Sequence, residues 1–167
     1  MASGIKWRLV ICIFCAVLNL RMVLTSQEVL TKLTTGFSKV LEQCKTELNA
    51  GDHIMKDFYN FWREEYELVN RDLGCMVMCM ASKLDLVGED FNLHHGNAQD
   101  FAKQHGADDA LAKQLLTILH DCETSSQNAE DPCIKVLGIA KCFKSKIHEL
   151  KWAPSMEVVL EEIMTAV

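Results

Sequence analysis

Apolar and polar positions along most of this chain repeat with the period of an amphipathic helix, and strand-like alternation bounded by hairpin turns is absent. From Ala110 to His120, the residues Leu111, Leu115, Ile118 and Leu119 fall on one stripe. Further helices are predicted from Arg71 to Leu84 and from Ile134 to Ile147. Pro132 precedes the second of these, where a first helical turn has no use for the missing N–H. The segment from Ser155 to Val167 places Met156, Val159, Leu160, Ile163 and Val167 on one stripe, with Ser155 set to cap it. Glu157 and Glu161 form a like-charge i,i+4 pair on another face of that segment. Two stretches break the period. Asp85 to Leu93, with Gly88, reads as a longer surface loop, and Glu123 to Asp131, rich in Ser, Asn and acid, reads as a connector. The pattern predicts an all-α fold of six or seven short helices.

The first 25 residues read differently. Lys6 and Arg8 precede an apolar run from Leu9 to Leu20. A run of about a dozen residues is short of the roughly 20 needed to cross a bilayer core. Positive charge, a short apolar run and then polar sequence form the layout of a secretory signal peptide. Val23 and Thr25 are small enough for the −3 and −1 positions, so cleavage is expected before Ser26, leaving residues 26–167 as the mature domain. An N-terminal anchor is the alternative.

Processing changes the composition that matters. The full chain carries 17 basic and 23 acidic residues and eight cysteines. Loss of Lys6, Arg8, Arg21, Cys12 and Cys15 leaves a net charge of −9 and six cysteines. Such acidity argues against a nucleic-acid partner. An even cysteine count in an exported chain predicts three disulfides among Cys44, Cys75, Cys79, Cys122, Cys133 and Cys142, with 15 connectivities open on spacing alone. Cys75 and Cys79 lie one turn apart on a predicted helix and must reach two different neighbours.

Large apolar side chains cluster at Phe58 to Trp62, at Met76, Met78 and Met80, and at Phe37, Phe101 and Phe143. Taken singly each is a core residue; together, on a frame cross-linked three times, they can wall a cavity. Chemistry for turnover is hard to assemble. His120-Asp121-Cys122 matches a fragment of the secreted phospholipase A2 active-site helix, but the double cysteine and Gly-rich calcium loop of that family are missing. Ser82 has no nucleophile-elbow context, and His94-His95 lacks a His-x3-His or carboxylate pattern for a metal. No catalytic residue, metal or cofactor is assigned.

The spacing Cys44-x30-Cys75-x3-Cys79-x42-Cys122-x10-Cys133-x8-Cys142 resembles that of insect odorant-binding proteins. Asp57 to Arg63, Asn92 to Asn97, Phe101 to Asp108 and Lys151 to Met156 resemble the moth pheromone-binding branch, and the likeness covers Ser26 to Val167. It implies the pairing Cys44–Cys79, Cys75–Cys133 and Cys122–Cys142, and helices around one internal cavity for a long-chain alcohol, acetate or aldehyde. Carried over by position, the ligand-binding residues are Leu30, Phe37, Phe61, Trp62, Val77, Ala81, Phe101, Leu119 and Phe143. Two of this chain's residues depart from the family. Ala81 stands where some relatives have a ligand-bonding serine, and Met78 where others have an asparagine, which leaves the polar anchor open.

The resemblance also implies a release switch. Residues 156–167 stay outside the cavity near neutral pH and enter it as a helix in acid. Ionised Glu157, Glu161 and Glu162 resist burial, and His94, His95 and His120 charge over the same pH range, loosening the 85–93 loop as a lid. Ala166, where relatives usually carry an acid, should raise the midpoint or make the closed state leakier. The expected setting is secreted, extracellular fluid around antennal neurons, with an olfactory receptor or sensory-neuron membrane protein as recipient and a homodimer near neutral pH left open. A general-odorant or fatty-acid carrier on the same fold is the runner-up, ahead of a secreted lipid hydrolase or a cavity-free helical signal.

Overall fold

The computed structural model describes residues 2–88 and 91–165. Met1, Glu89, Asp90, Ala166 and Val167 lie outside the described residues, and with them the expectations placed on Ala166 and Val167. The described residues form eight helices: α1 (Ala2–Ser38), α2 (Leu41–Glu47), α3 (Asp52–Tyr59), α4 (Arg71–Lys83), α5 (His95–Gln104), α6 (Asp109–Ser125), α7 (Pro132–Glu149) and α8 (Met156–Thr165). The only strand-like pairing among them is a single antiparallel bridge between Val87 and Leu93.

Local side-chain chemistry starts three of the helices. Asn70 accepts from the Asp72 N–H at the start of α4, and Asp108 accepts from the Leu111 N–H at 2.8 Å at the start of α6. Asp131 accepts from the N–H groups of Cys133 and Ile134 at 2.8 and 3.1 Å, with Pro132 in the first turn of α7. Each such cap satisfies a donor that the helix itself cannot pair. Asp131 also meets Arg71 at 2.7 Å, tying the starts of α4 and α7 together.

The three disulfides are Cys44–Cys79, Cys75–Cys133 and Cys122–Cys142, with Cα separations of 5.9, 4.6 and 5.5 Å. Helix α4 is therefore fastened on both flanks, to α2 through Cys79 and to α7 through Cys75. Gly74 makes the second fastening geometrically feasible. A Cβ at that position would run into the Cys133 carbonyl, so the two helices approach across a bare backbone.

Three apolar clusters hold the helices. The largest joins Val29 and Leu30 of α1 to Leu111 and Leu115 of α6, Ile147 of α7, and Met156 and Val159 of α8. A second packs Met76 and Met80 against Leu41, Cys44, Ile54 and Phe58, and a third joins Leu68, Leu73 and Leu137. The segment between α3 and α4 is held by a buried Asp57, which accepts from the Tyr66 hydroxyl and from Asn70 at 3.1 Å. That bond, with burial, pushes the Tyr66 phenol above its ordinary range.

Helix α1 runs without a break through residue 26. Its character changes there. Val10, Ile13, Phe14, Leu20 and Leu24 are exposed, whereas Ser26, Val29, Leu30 and Thr31 are buried. By length and composition alone the N-terminal helix, which extends beyond the dozen-residue apolar run, is long and apolar enough to cross a membrane, a test that a signal sequence near the N-terminus also passes.

Candidate ligand-binding cavity

Helices α1, α3, α4, α5, α6 and α7 enclose a cavity of about 240 Å³. That is slightly below the ~300–1,000 Å³ of ordinary small-molecule sites. Eight of the nine ligand residues expected from the resemblance line it: Leu30, Phe37, Phe61, Trp62, Val77, Phe101, Leu119 and Phe143. Phe61 and Trp62 meet edge to face at 4.9 Å between centroids, and Trp62 lies 6.2 Å from Phe143.

Ala81 is the exception. It is half-buried on α4 and stands outside the lining. The methionines also turn elsewhere. Helix α4 presents Val77 to the cavity, and the roughly 100° step per residue carries Met76 and Met80 round to the cluster against α2 and α3. Sequence reading missed several wall residues, among them Leu33, Thr34, Leu86, Leu93, Leu115, Val136 and Ile139. For two of these a signal was present: the helical stripe that joins Leu30 to Phe37 passes through Leu33 and Thr34.

Thr34 is the one lining residue in the described chain with a hydroxyl, amide or charged side chain. It replaces neither Ala81 nor Met78 in sequence, since it comes from α1. Its hydroxyl donates to the Leu30 carbonyl at 2.7 Å and accepts from the Trp62 indole N–H at 2.9 Å. A hydroxyl has one proton and two lone pairs, so one acceptor position on Thr34 remains.

Among its described residues, the 85–93 loop lines one side of the cavity with Leu86 and Leu93. It is pinned by the His94 N–H to the Leu86 carbonyl at 2.8 Å and by the Asn97 amide to the Asp85 carbonyl at 2.8 Å. His94 caps α5, its Nδ1 accepting from the Asn97 N–H at 3.3 Å. His95 and His120 are exposed and stand together, ring centroids 5.5 Å apart. His94 and His95 therefore follow directly on the 85–93 loop, with His120 of α6 beside them.

Helix α8 lies outside the cavity, on α1. Met156 and Val159 are buried and Leu160 and Ile163 half-buried, the stripe expected from sequence. Its carboxylates face outward along the seam. Glu157 accepts from the Ser155 hydroxyl at 2.6 Å and faces Arg63 at 3.7 Å, while Glu162 accepts from Thr35 at 3.3 Å and Glu161 is exposed. The Ser155 hydroxyl above all, with a backbone N–H and Arg63, holds the Glu157 carboxyl below the usual glutamate range.

A stapled helical frame around an apolar cavity with one hydroxyl on its wall defines a binding protein for a small hydrophobic molecule. Residues 26–146 match the PBP/GOBP family, and the chain belongs to that family. It is 50% identical to pheromone-binding protein 2 of Epiphyas postvittana over 142 residues, covering 85% of this chain and 86% of the relative. It is 32% identical to general odorant-binding protein 1 of Bombyx mori over 158 residues, 95% of each chain. The crystal structure of Epiphyas postvittana pheromone binding protein 3 superposes with a TM-score of 0.64 at 54% identity, over 69% of this chain and 98% of that one.

Proposed function

We propose that this protein is a secreted carrier of a long-chain pheromone or similar odorant, which it releases in acid when α8 enters the cavity. The observation that carries the reading is the apolar cavity walled by Phe37, Phe61, Trp62, Phe101 and Phe143. A chain of about 14–16 carbons gains roughly 0.8 kcal/mol per buried CH₂, on the order of 11–13 kcal/mol gross. Ordering and association remove several kcal/mol of that, leaving nanomolar to micromolar affinity. Signal cleavage before Ser26 fits the change from exposed to buried side chains at that residue. The recipient is a sensory-neuron receptor or membrane protein.

The single hydroxyl among the described wall residues sets a head-group preference. The Thr34 proton is committed to Leu30 and the indole proton of Trp62 to Thr34, so the free capacity is an acceptor. An alcohol can donate to it. An acetate or aldehyde carries acceptors alone and must first break one of the two existing bonds. Alcohols are therefore favoured over acetates of equal chain length by about 1 kcal/mol, roughly fivefold in affinity.

The test is displacement of a fluorescent apolar probe from the secreted protein by C12–C18 alcohols, acetates and aldehydes at pH 7 and pH 5. Displacement at pH 7 with loss of binding at pH 5 is expected. Equal binding at both values removes the switch and keeps the carrier; no probe binding at either removes the carrier. Displacement by short plant volatiles in preference to long chains points to the general-odorant alternative.

A further inference from the structure

We propose that His95, His120 and Glu123 form a binding site for a divalent transition-metal ion of the zinc class. From sequence no metal is assigned because His94-His95 has no ligand pattern beside it; the fold brings His95 to the pair His120 and Glu123. One donor atom from each lies within 4.8 Å of the others. His120 and Glu123 sit three residues apart on one face of α6, with His120 Nδ1 and Glu123 Oε2 at 4.0 Å. His95 arrives from the first turn of α5, its ring 5.5 Å from that of His120.

The donor set selects the metal. Two imidazoles and a carboxylate suit zinc, copper or nickel, whereas calcium and magnesium prefer oxygen alone. Ligand atoms on one tetrahedral zinc stand about 3.3 Å apart. The present spacing closes to that value by side-chain rotation, which the exposed imidazoles of His95 and His120 are free to make. Glu123 is the fixed member. Only 13% of its side chain is exposed, and its Oε1 accepts from the Leu93 N–H at 3.0 Å, which turns Oε2 toward His120. Hydrogen bonding to the far oxygen of a ligating carboxylate is the usual outer support of a metal site. Three protein ligands leave the fourth position to water.

The ion would fasten the end of the 85–93 loop to α6 beside Leu93 and Leu119, both of which line the cavity. Slower ligand exchange would follow from that fastening; this consequence rests on the carrier reading, whereas the metal site does not.

Chelator-stripped protein, secreted by insect cells expressing the full chain, is titrated calorimetrically with zinc chloride at pH 7.5 without any odorant. One ion per chain with a micromolar dissociation constant is expected. H95Q, H120Q and E123Q should each weaken binding by about tenfold or more, and H53Q, an exposed histidine facing Asp72 at 3.6 Å, should leave it unchanged. The glutamine at 123 can still accept from the Leu93 N–H, so its effect reads the lost charge and not a lost fold. Absence of one-to-one saturation below millimolar zinc overturns the site. So does saturation that H120Q and E123Q leave intact.

Discussion

Replacing Thr34 by valine removes one oxygen from the cavity wall and nearly keeps the volume of the side chain. That oxygen donates to Leu30 and accepts from Trp62. The Leu30 carbonyl sits inside α1 and keeps its backbone partner, so little is lost there. Trp62 is 5% exposed, and its N–H is left buried without an acceptor. An unsatisfied buried donor costs about 1–3 kcal/mol, and the added methyl recovers a fraction of a kcal/mol. A net loss of ~1–2 kcal/mol moves a urea midpoint down by roughly 0.5–1 M, at a slope of about 2 kcal/mol/M. The same substitution removes the acceptor offered to an alcohol, so affinity for a long-chain alcohol should fall roughly fivefold, while the acetate of equal length, which can now accept from the freed indole N–H, should hold or gain affinity. Urea denaturation followed by tryptophan fluorescence, paired with probe displacement by the two ligands, reads both effects. A midpoint unchanged within about 0.2 M refutes the indole bond. Equal losses for alcohol and acetate refute the head-group argument even if stability falls as expected.

Three further outcomes follow from the geometry. Ser155→Ala removes the principal contact that depresses Glu157. A carboxylate with a depressed pKa in the docked state stabilises that state above its ordinary value, and the contribution is lost as pH falls through the depressed one. The variant should therefore release α8, and the ligand, at a higher pH than the parent, and an unmoved midpoint in a pH-resolved probe titration counts against the assignment. Truncation after Ser155 should keep probe binding at both pH 7 and pH 5. Because Met156 and Val159 are buried on α1, it should also lower the melting temperature. Gly74→Ala forces α4 away from the Cys133 carbonyl and should cost more than about 4 kcal/mol. Poor secretion, and loss of the Cys75–Cys133 link on peptide mapping, would show it.

What could be read from residues alone divides along physical lines. The helix starts at Asn70, Asp108 and Asp131 are local, and each is announced by a polar residue ahead of an apolar period. The pairing of Cys75 with Cys133 was open on spacing and came through resemblance. The bond itself depends on the close approach at Gly74, which no local pattern encodes. Phe37, Phe101 and Phe143 were legible as apolar bulk, and their placement around one space required the family. Thr34 was missed because its importance comes from Trp62, a partner 28 positions away. The methionines of α4 misled for a related reason: apolar bulk names a buried face and does not say which of two adjoining cavities or cores that face meets.

If release follows the proposed entry of α8, it should be sensitive to small changes. Of the helix's apolar stripe, Met156 and Val159 are already buried and Leu160 and Ile163 half-buried in the packing with α1. Entering the cavity would bury the same side chains again, so the hydrophobic term largely cancels between the two positions. What remains is the difference in how each position treats the charges. On α1, Glu157 meets Ser155 and Arg63, while Glu162 meets Thr35 and feels Lys32. The described cavity wall offers a carboxylate one hydroxyl whose proton is already committed. Under the proposed release mechanism, the charge on Glu157 would favour the outside position, and its loss in acid would remove that preference without adding an attraction. A balance struck this way turns on about 1.4 kcal/mol per tenfold change in population, a single hydrogen bond's worth. Substitutions at Arg63, Thr35 or Ser155, none of which touches the ligand, should accordingly move the release midpoint more than most changes to the apolar wall.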